Sequence, residues 1–135
     1  MVGLLIVAHG KLGDSLIECA TYVHGHTPEG LQSADLTGYT DTESMLRAVR
    51  LQIASLDDGS GVLVMTDIYG ATPSNTACKL VKAGHVDVVS GVNLPMLLKA
   101  LTYRSEPLKE LAERIANGGR NGIFRVEECS CDAGT

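Results

Sequence analysis

Residues 3–15 read GLLIVAHGKLGDS, and the first six of them form an unbroken apolar run that stops at His9-Gly10. A strand exposed on one face alternates polar and apolar residues, whereas an unbroken run marks a strand covered on both faces, as in a parallel sheet. The run therefore predicts a central strand with a titratable ring at its carboxyl end. Downstream, Leu12, Leu16, Ala20 and Val23 recur at steps of four, four and three, the spacing of one helix face.

The same alternation continues along the chain. LQSADLT at 31–37 is a weaker strand, and Thr40 with Glu43 three residues on forms a capping box. The helix behind it carries a stripe of Met45, Leu46, Val49, Ile53 and Leu56, and DDGSG at 57–61 is a turn. VLVMT at 62–66 is a second strongly buried strand, stopping at Asp67. Thr72-Pro73 reads as an N-cap followed by a first-turn proline, opening a helix that carries Ala77, Leu80 and Val81 and ends at Gly84. VDVVSGV at 86–92 is a fourth strand, NLPMLLKAL a helix with Pro95 in its first turn, and SEPLKELAERIANGG a last helix stopped by Gly118-Gly119. GIFRV at 122–126 is a final short strand. Strand and helix in alternation imply an α/β fold: a doubly wound, mainly parallel four-stranded sheet flanked by helices. Residues 1–126 make one domain, and 127–135 a flexible tail.

Composition bounds the function. One Phe, four Tyr and no Trp among 135 residues leave an aliphatic core. A net charge of −5 without any Lys/Arg cluster excludes a nucleic-acid partner. No signal peptide and no apolar stretch of ~18 residues is visible, which implies a cytoplasmic chain. The four cysteines form no CxxC pair; Cys19 and Cys78 fall in helical patterns as core fillers. Cys129 and Cys131 are spaced to touch a metal, but their Gly- and acid-rich setting argues against it.

In open α/β sheets, ligands bind beyond the carboxyl ends of the strands, where strand order reverses. The two most apolar strands should be neighbours ~4.8 Å apart, which lets His9 and Asp67 meet across the rim. The segment after Asp67, DIYGATPSN, adds a flexible Gly70, the amides around Ala71 and the Thr72 hydroxyl at a helix start, a setting suited to an anion. A carboxylate that holds one ring nitrogen as N–H leaves the other as a nucleophile, so the constellation fits transient phosphorylation of His9.

Competing readings fit less well. A phosphate-binding NTPase loop needs GxxxxGK[ST], and here Leu12 follows Gly10-Lys11. Histidine phosphatases end the same strand in Arg-His-Gly, where this chain has Ala8. Small tetrapyrrole chelatases also have a strand ending in His-Gly, so a chelatase-like metal-binding protein with His9 as ligand is the alternative; it calls for a second ligand at another strand end. His24, His26 and His85 fall elsewhere and read as surface residues.

Three stretches, IVAHG, VLVMTDIYGATPSN and GVNLPMLLKAL, resemble the IIA component of the mannose-type sugar phosphotransferase system, and the likeness runs through residues 1–126 in order and spacing. The resemblance implies a phosphoryl carrier in which His9 accepts phosphate from the phosphocarrier HPr and Asp67 orients the ring. It further implies that Gly70, Ala71 and Thr72 contact the phosphoryl group, and that Gly10, Asn93 and Pro95 shape the pocket rim or a subunit contact. No cofactor and no metal is called for. The partners implied are HPr and a separate IIB component or a regulatory target, in a chain at most peripheral to a membrane transporter. A homodimer is implied as well, with the antiparallel strand 122–126 exchanged between subunits. Tyr69 stands where sugar-transporting relatives often have Trp, and no IIB domain follows residue 126, so a stand-alone carrier or a regulatory module is expected.

Overall fold

The two unbroken apolar runs lie side by side at the centre of one parallel sheet. In the computed structural model, which describes residues 1–127, the strands are β1 (Gly3–Ala8), β2 (Leu31–Asp35), β3 (Val62–Thr66) and β4 (Val86–Ser90), in the order β2-β1-β3-β4. Every residue of β1 and β3 is buried, because helices cover both faces of the sheet. The helices are α1 (Leu12–His24), α2 (Thr42–Leu56), α3 (Thr72–Cys78), α4 (Leu94–Thr102) and α5 (Leu108–Asn121).

Strand pleating divides the core into two layers. Leu4, Ile6, Leu63 and Met65 face one way and pack with Ala20, Leu97, Leu111 and Ile115 from α1, α4 and α5. Leu5, Val7, Val62 and Val64 face the other way, onto Val49 and Ala77 of α2 and α3. Because α1 and α2 leave on opposite faces, the chain turns back between β1 and β3. A crevice is expected at that junction in doubly wound sheets.

Close packing and one buried cation lock this arrangement. A Cβ added at Gly13 would lie 2.8 Å from Ser33 Cβ and 3.3 Å from Ile6 Cγ2, so only glycine lets α1 settle onto the sheet here. Arg104, in the connection between α4 and α5, is 7% exposed. Its Nε donates to Val2 O at 3.0 Å, Nη2 to Gly30 O at 3.1 Å, and Nη1 to Glu29 O. One guanidinium thereby ties the start of β1 to the approach to β2.

Several local expectations change. The cap of α2 is Asp41, which accepts Ser44 N–H at 2.7 Å, rather than Thr40, since aspartate one residue later reaches the same first-turn donors. Helix α3 stops at Cys78, and Val81 is 54% exposed, because a turn closed by Lys82 N–H donating to Val86 O replaces the expected final turns. On α1 only Ala20 of the proposed stripe is fully buried; Leu12 and Val23, at the helix ends, overhang the sheet. Cys19 and Cys78 are exposed rather than core fillers, each standing one position off its helix's buried face. Residues 123–127 belong to no strand of the single chain. Cys129, Cys131 and most of the 127–135 tail lie outside the described residues.

Candidate functional site

Parallel pairing determines what meets His9. In the ladder Val7 is opposite Thr66 of β3, and Ala8 is opposite Asp35 of β2. Asp67 follows Thr66 by one residue, so Asp67 and Asp35 flank the end of β1 from its two neighbouring strands. His9 Nδ1 lies 2.6 Å from Asp67 Oδ2, and the same oxygen accepts the His9 backbone N–H at 2.9 Å. Asp67 Oδ1 accepts Ile68 N–H at 2.8 Å.

The Asp67 side chain is 7% exposed, and the His9 side chain 51%. Burial would raise the Asp67 pKa, but the donors from the His9 backbone, the His9 ring and Ile68 outweigh it and hold the carboxyl below its ordinary value. An ionised carboxylate only accepts hydrogen bonds, so Nδ1 carries a proton, and in the neutral ring the Nε2 lone pair is free. The site is thus an oriented imidazole on an open rim, one nitrogen pinned and the ring half in solvent.

Beneath the rim is a layer of hydroxyls that the sequence reading did not single out. Ser90 Oγ lies 2.8 Å from both Thr66 Oγ1 and Ser74 Oγ, joining the ends of β3 and β4 to the first turn of α3. Thr66 O accepts the N–H groups of Gly91 and Val92, each at 2.9 Å. The only sequence signal for this layer is a hydroxyl residue closing each of two apolar strands, a pattern that ordinary strand ends also show.

Asp35 was likewise missed. Its Oδ1 accepts Gly10 N–H at 3.0 Å, Thr37 N–H at 2.9 Å and Thr37 Oγ1–H at 2.7 Å. The Thr37 donors, joined by Gly10 N–H and the nearby His9, hold its pKa below the ordinary carboxylate value against a smaller opposing effect of burial. LQSADLT ends on this aspartate much as VLVMTD ends on Asp67, the signal that could have found it.

The remaining predicted residues divide into two groups. Thr72 is the first residue of α3, exposed, and among the described residues no partner takes its hydroxyl; the cap is Ala71, not Thr72 as the sequence suggested. Ala71 N–H is committed to Ile68 O at 3.2 Å, and Asn75 Nδ2 donates to Gly70 O at 3.0 Å, closing the loop on itself. Gly70 adopts φ +89 and Gly10 φ +57, left-handed values that allow both tight turns at the rim. Asn93 and Pro95 act in packing. Asn93 Oδ1 accepts Met96 N–H at 2.9 Å while its Nδ2 donates to Gly119 O at 3.0 Å, and Pro95 presses on the Gly122 backbone.

The family model for the PTS system fructose IIA component, EIIA-man, matches residues 3–116. The chain belongs to this family of phosphotransferase-system IIA components. It is 30% identical over 125 residues to the PTS system mannose-specific EIIAB component of Escherichia coli, a match covering 90% of this chain and 38% of that protein. The chain thus spans well under half the length of that relative. It is 26% identical over 117 residues to the PTS system fructose-specific EIIA component of Bacillus subtilis, covering 85% of this chain and 80% of the other. Among solved structures, phosphotransferase system component EIIA from Streptococcus agalactiae superposes with TM-score 0.81 at 26% identity, over 93% of this chain and 97% of that one. The mannose/sorbose-specific IIA subunit from Enterococcus faecalis has TM-score 0.83 at 18% identity, over 96% and 97%, a likeness of fold. None of these comparisons favours the chelatase alternative.

Proposed function

We propose that this IIA component carries the phosphoryl group on His9 Nε2, receiving it from phospho-HPr in the cytoplasm. The observation that carries the reading is the 2.6 Å contact between His9 Nδ1 and Asp67 Oδ2 beside a half-exposed ring. In the transfer the Nε2 lone pair attacks phosphorus, and the donor's P–N bond breaks with its electron pair returning to the donor imidazole. The acceptor ring keeps its Nδ1 proton and so becomes positively charged, and the ionised Asp67 is already in place to stabilise that charge. Thr72, whose hydroxyl takes no partner among the described residues, is the proposed contact for the phosphoryl oxygens, and Gly70 and Ala71 shape the loop that presents it.

Ile68 and Tyr69, 64% and 81% exposed beside Asp67, offer an apolar surface for the docking carrier. The group then passes to a IIB component or serves as a charge read by a regulatory target. The same reading includes a homodimer formed by exchange of residues 122–126. Its support is the exposure of Ile123, Phe124 and Val126, and a cleft of about 560 Å³ beside edge strand β4 that includes Val89, Met96 and Ile123.

Incubation with phosphoenolpyruvate, the general first enzyme and HPr, followed by mapping of the modified residue, tests the reading. An acid-labile adduct on His9 is expected. An adduct on His24, His26 or His85 overturns it.

A further inference from the structure

Two acidic side chains grip consecutive peptide N–H groups at the end of β1. Asp67, from β3, takes the N–H of His9, and Asp35, from β2, takes the N–H of Gly10. Gly10 sits at φ +57, a conformation that the backbone of a free loop leaves readily. The ring can keep a useful direction only if both ends of the His9–Gly10 peptide are held. Asp67 holds one end together with the ring. Asp35 holds the other, and the same oxygen is itself anchored by two donors of Thr37.

Resting on the reading of His9 as phosphoryl acceptor, we propose that Asp35 is a positioning residue for the transfer, aiming the imidazole through Gly10 N–H from the side opposite Asp67. It touches neither the ring nor the reacting phosphorus. What it contributes is direction, and in-line attack on phosphorus is sensitive to direction. A side-chain amide in its place retains an oxygen able to accept Gly10 N–H, whereas a methyl group does not. The acceptor sets the aim, and the carboxylate charge near His9 is a separate contribution that the amide removes.

The experiment compares wild type, Asp35→Ala and Asp35→Asn in single-turnover phosphorylation by phospho-HPr, with ¹⁵N NMR of the His9 ring and the Gly10 amide in the unphosphorylated proteins. Asp35→Ala should slow acceptance by about tenfold to a hundredfold, the scale of a small misplacement of a reacting group. It should also move the Gly10 amide resonance and raise the population of His9 with its proton on Nε2. Asp35→Asn should recover the rate to within about threefold of wild type, on the reasoning that a retained acceptor retains the geometry. A wild-type rate in Asp35→Ala overturns the proposal. So does an equal slowing in both variants with unchanged His9 and Gly10 resonances, because charge would then be the agent. If Asp35→Ala does not fold, Asp35→Glu displaces the acceptor by one methylene and should give the same paired change in rate and resonances; no change there is refuting. Should wild-type protein accept no phosphate on His9, the functional reading fails, while the ring and amide resonances still decide whether Asp35 holds the turn.

Discussion

Replacing Asp67 by asparagine changes one atom and tests the site most severely. In the native arrangement both carboxylate oxygens face donors: Oδ2 receives the His9 ring and backbone N–H, and Oδ1 receives Ile68 N–H. Asparagine cannot accept on both sides. If its amide nitrogen turns toward Ile68, two donors oppose each other there. If it turns toward His9, it opposes the His9 backbone N–H and draws the ring proton onto Nε2, the attacking atom. Either orientation sets an N–H of the rim against another donor in place of its acceptor. Loss of a hydrogen bond to a charged acceptor is worth about 1.5–3 kcal/mol, roughly tenfold to a hundredfold in rate. The misplaced proton adds to this, and the comparable change in a catalytic triad suggests a total of ~10²–10⁴. Rapid-quench phosphorylation by phospho-HPr reads the rate, and ¹⁵N NMR reads the tautomer. Transfer at the wild-type rate with the Nδ1–H tautomer retained would refute the reasoning.

The Asp67 carboxyl, held below its ordinary value, also predicts a pH dependence. A depressed folded-state pKa contributes stability that is present above the unfolded value of about 3.9 and is lost as pH falls through the folded value. The stability gap between wild type and Asp67→Asn, measured by urea denaturation, should therefore be full near neutrality and shrink below about pH 4. Arg104→Met strands the carbonyls of Val2 and Glu29, leaves Gly30 O with Leu4 N–H alone, and should cost about 2–4 kcal/mol in chemical denaturation. Gly13→Ala drives a methyl group against Ser33 and Ile6, and should destabilise by about 1–3 kcal/mol while leaving the His9 adduct intact. Under the proposed strand exchange, Phe124→Asp should shift sedimentation equilibrium from dimer to monomer; an unchanged dimer would remove residues 122–126 from the interface.

Most of the architecture was legible in the residues. Six apolar residues in β1 and four in β3 without a polar break cannot sit at a surface, so both strands had to be central, and the helical stripes between them required a parallel sheet. Boundaries were less legible where two chemistries compete: Asp41 displaced Thr40 as a cap, and Lys82 closed a turn where a longer helix was expected. The cysteines misled because helix position, not residue type, decides burial at the edge of a stripe.

The amino-acid order by itself determined which side chains end the strands, and hence that His9 and Asp67 were candidates. Only tertiary structure decided that they touch, because a hydrogen bond of 2.6 Å between residues 58 apart depends on strand register, and register is set by the whole core. Asp35 shows the same division. Alone it is an ordinary acidic residue after a weak strand, and it becomes part of the site only because β2 pairs with β1 so that Ala8 stands opposite it. Local sequence places groups along the chain. Packing brings them within the few ångströms at which their chemistry begins.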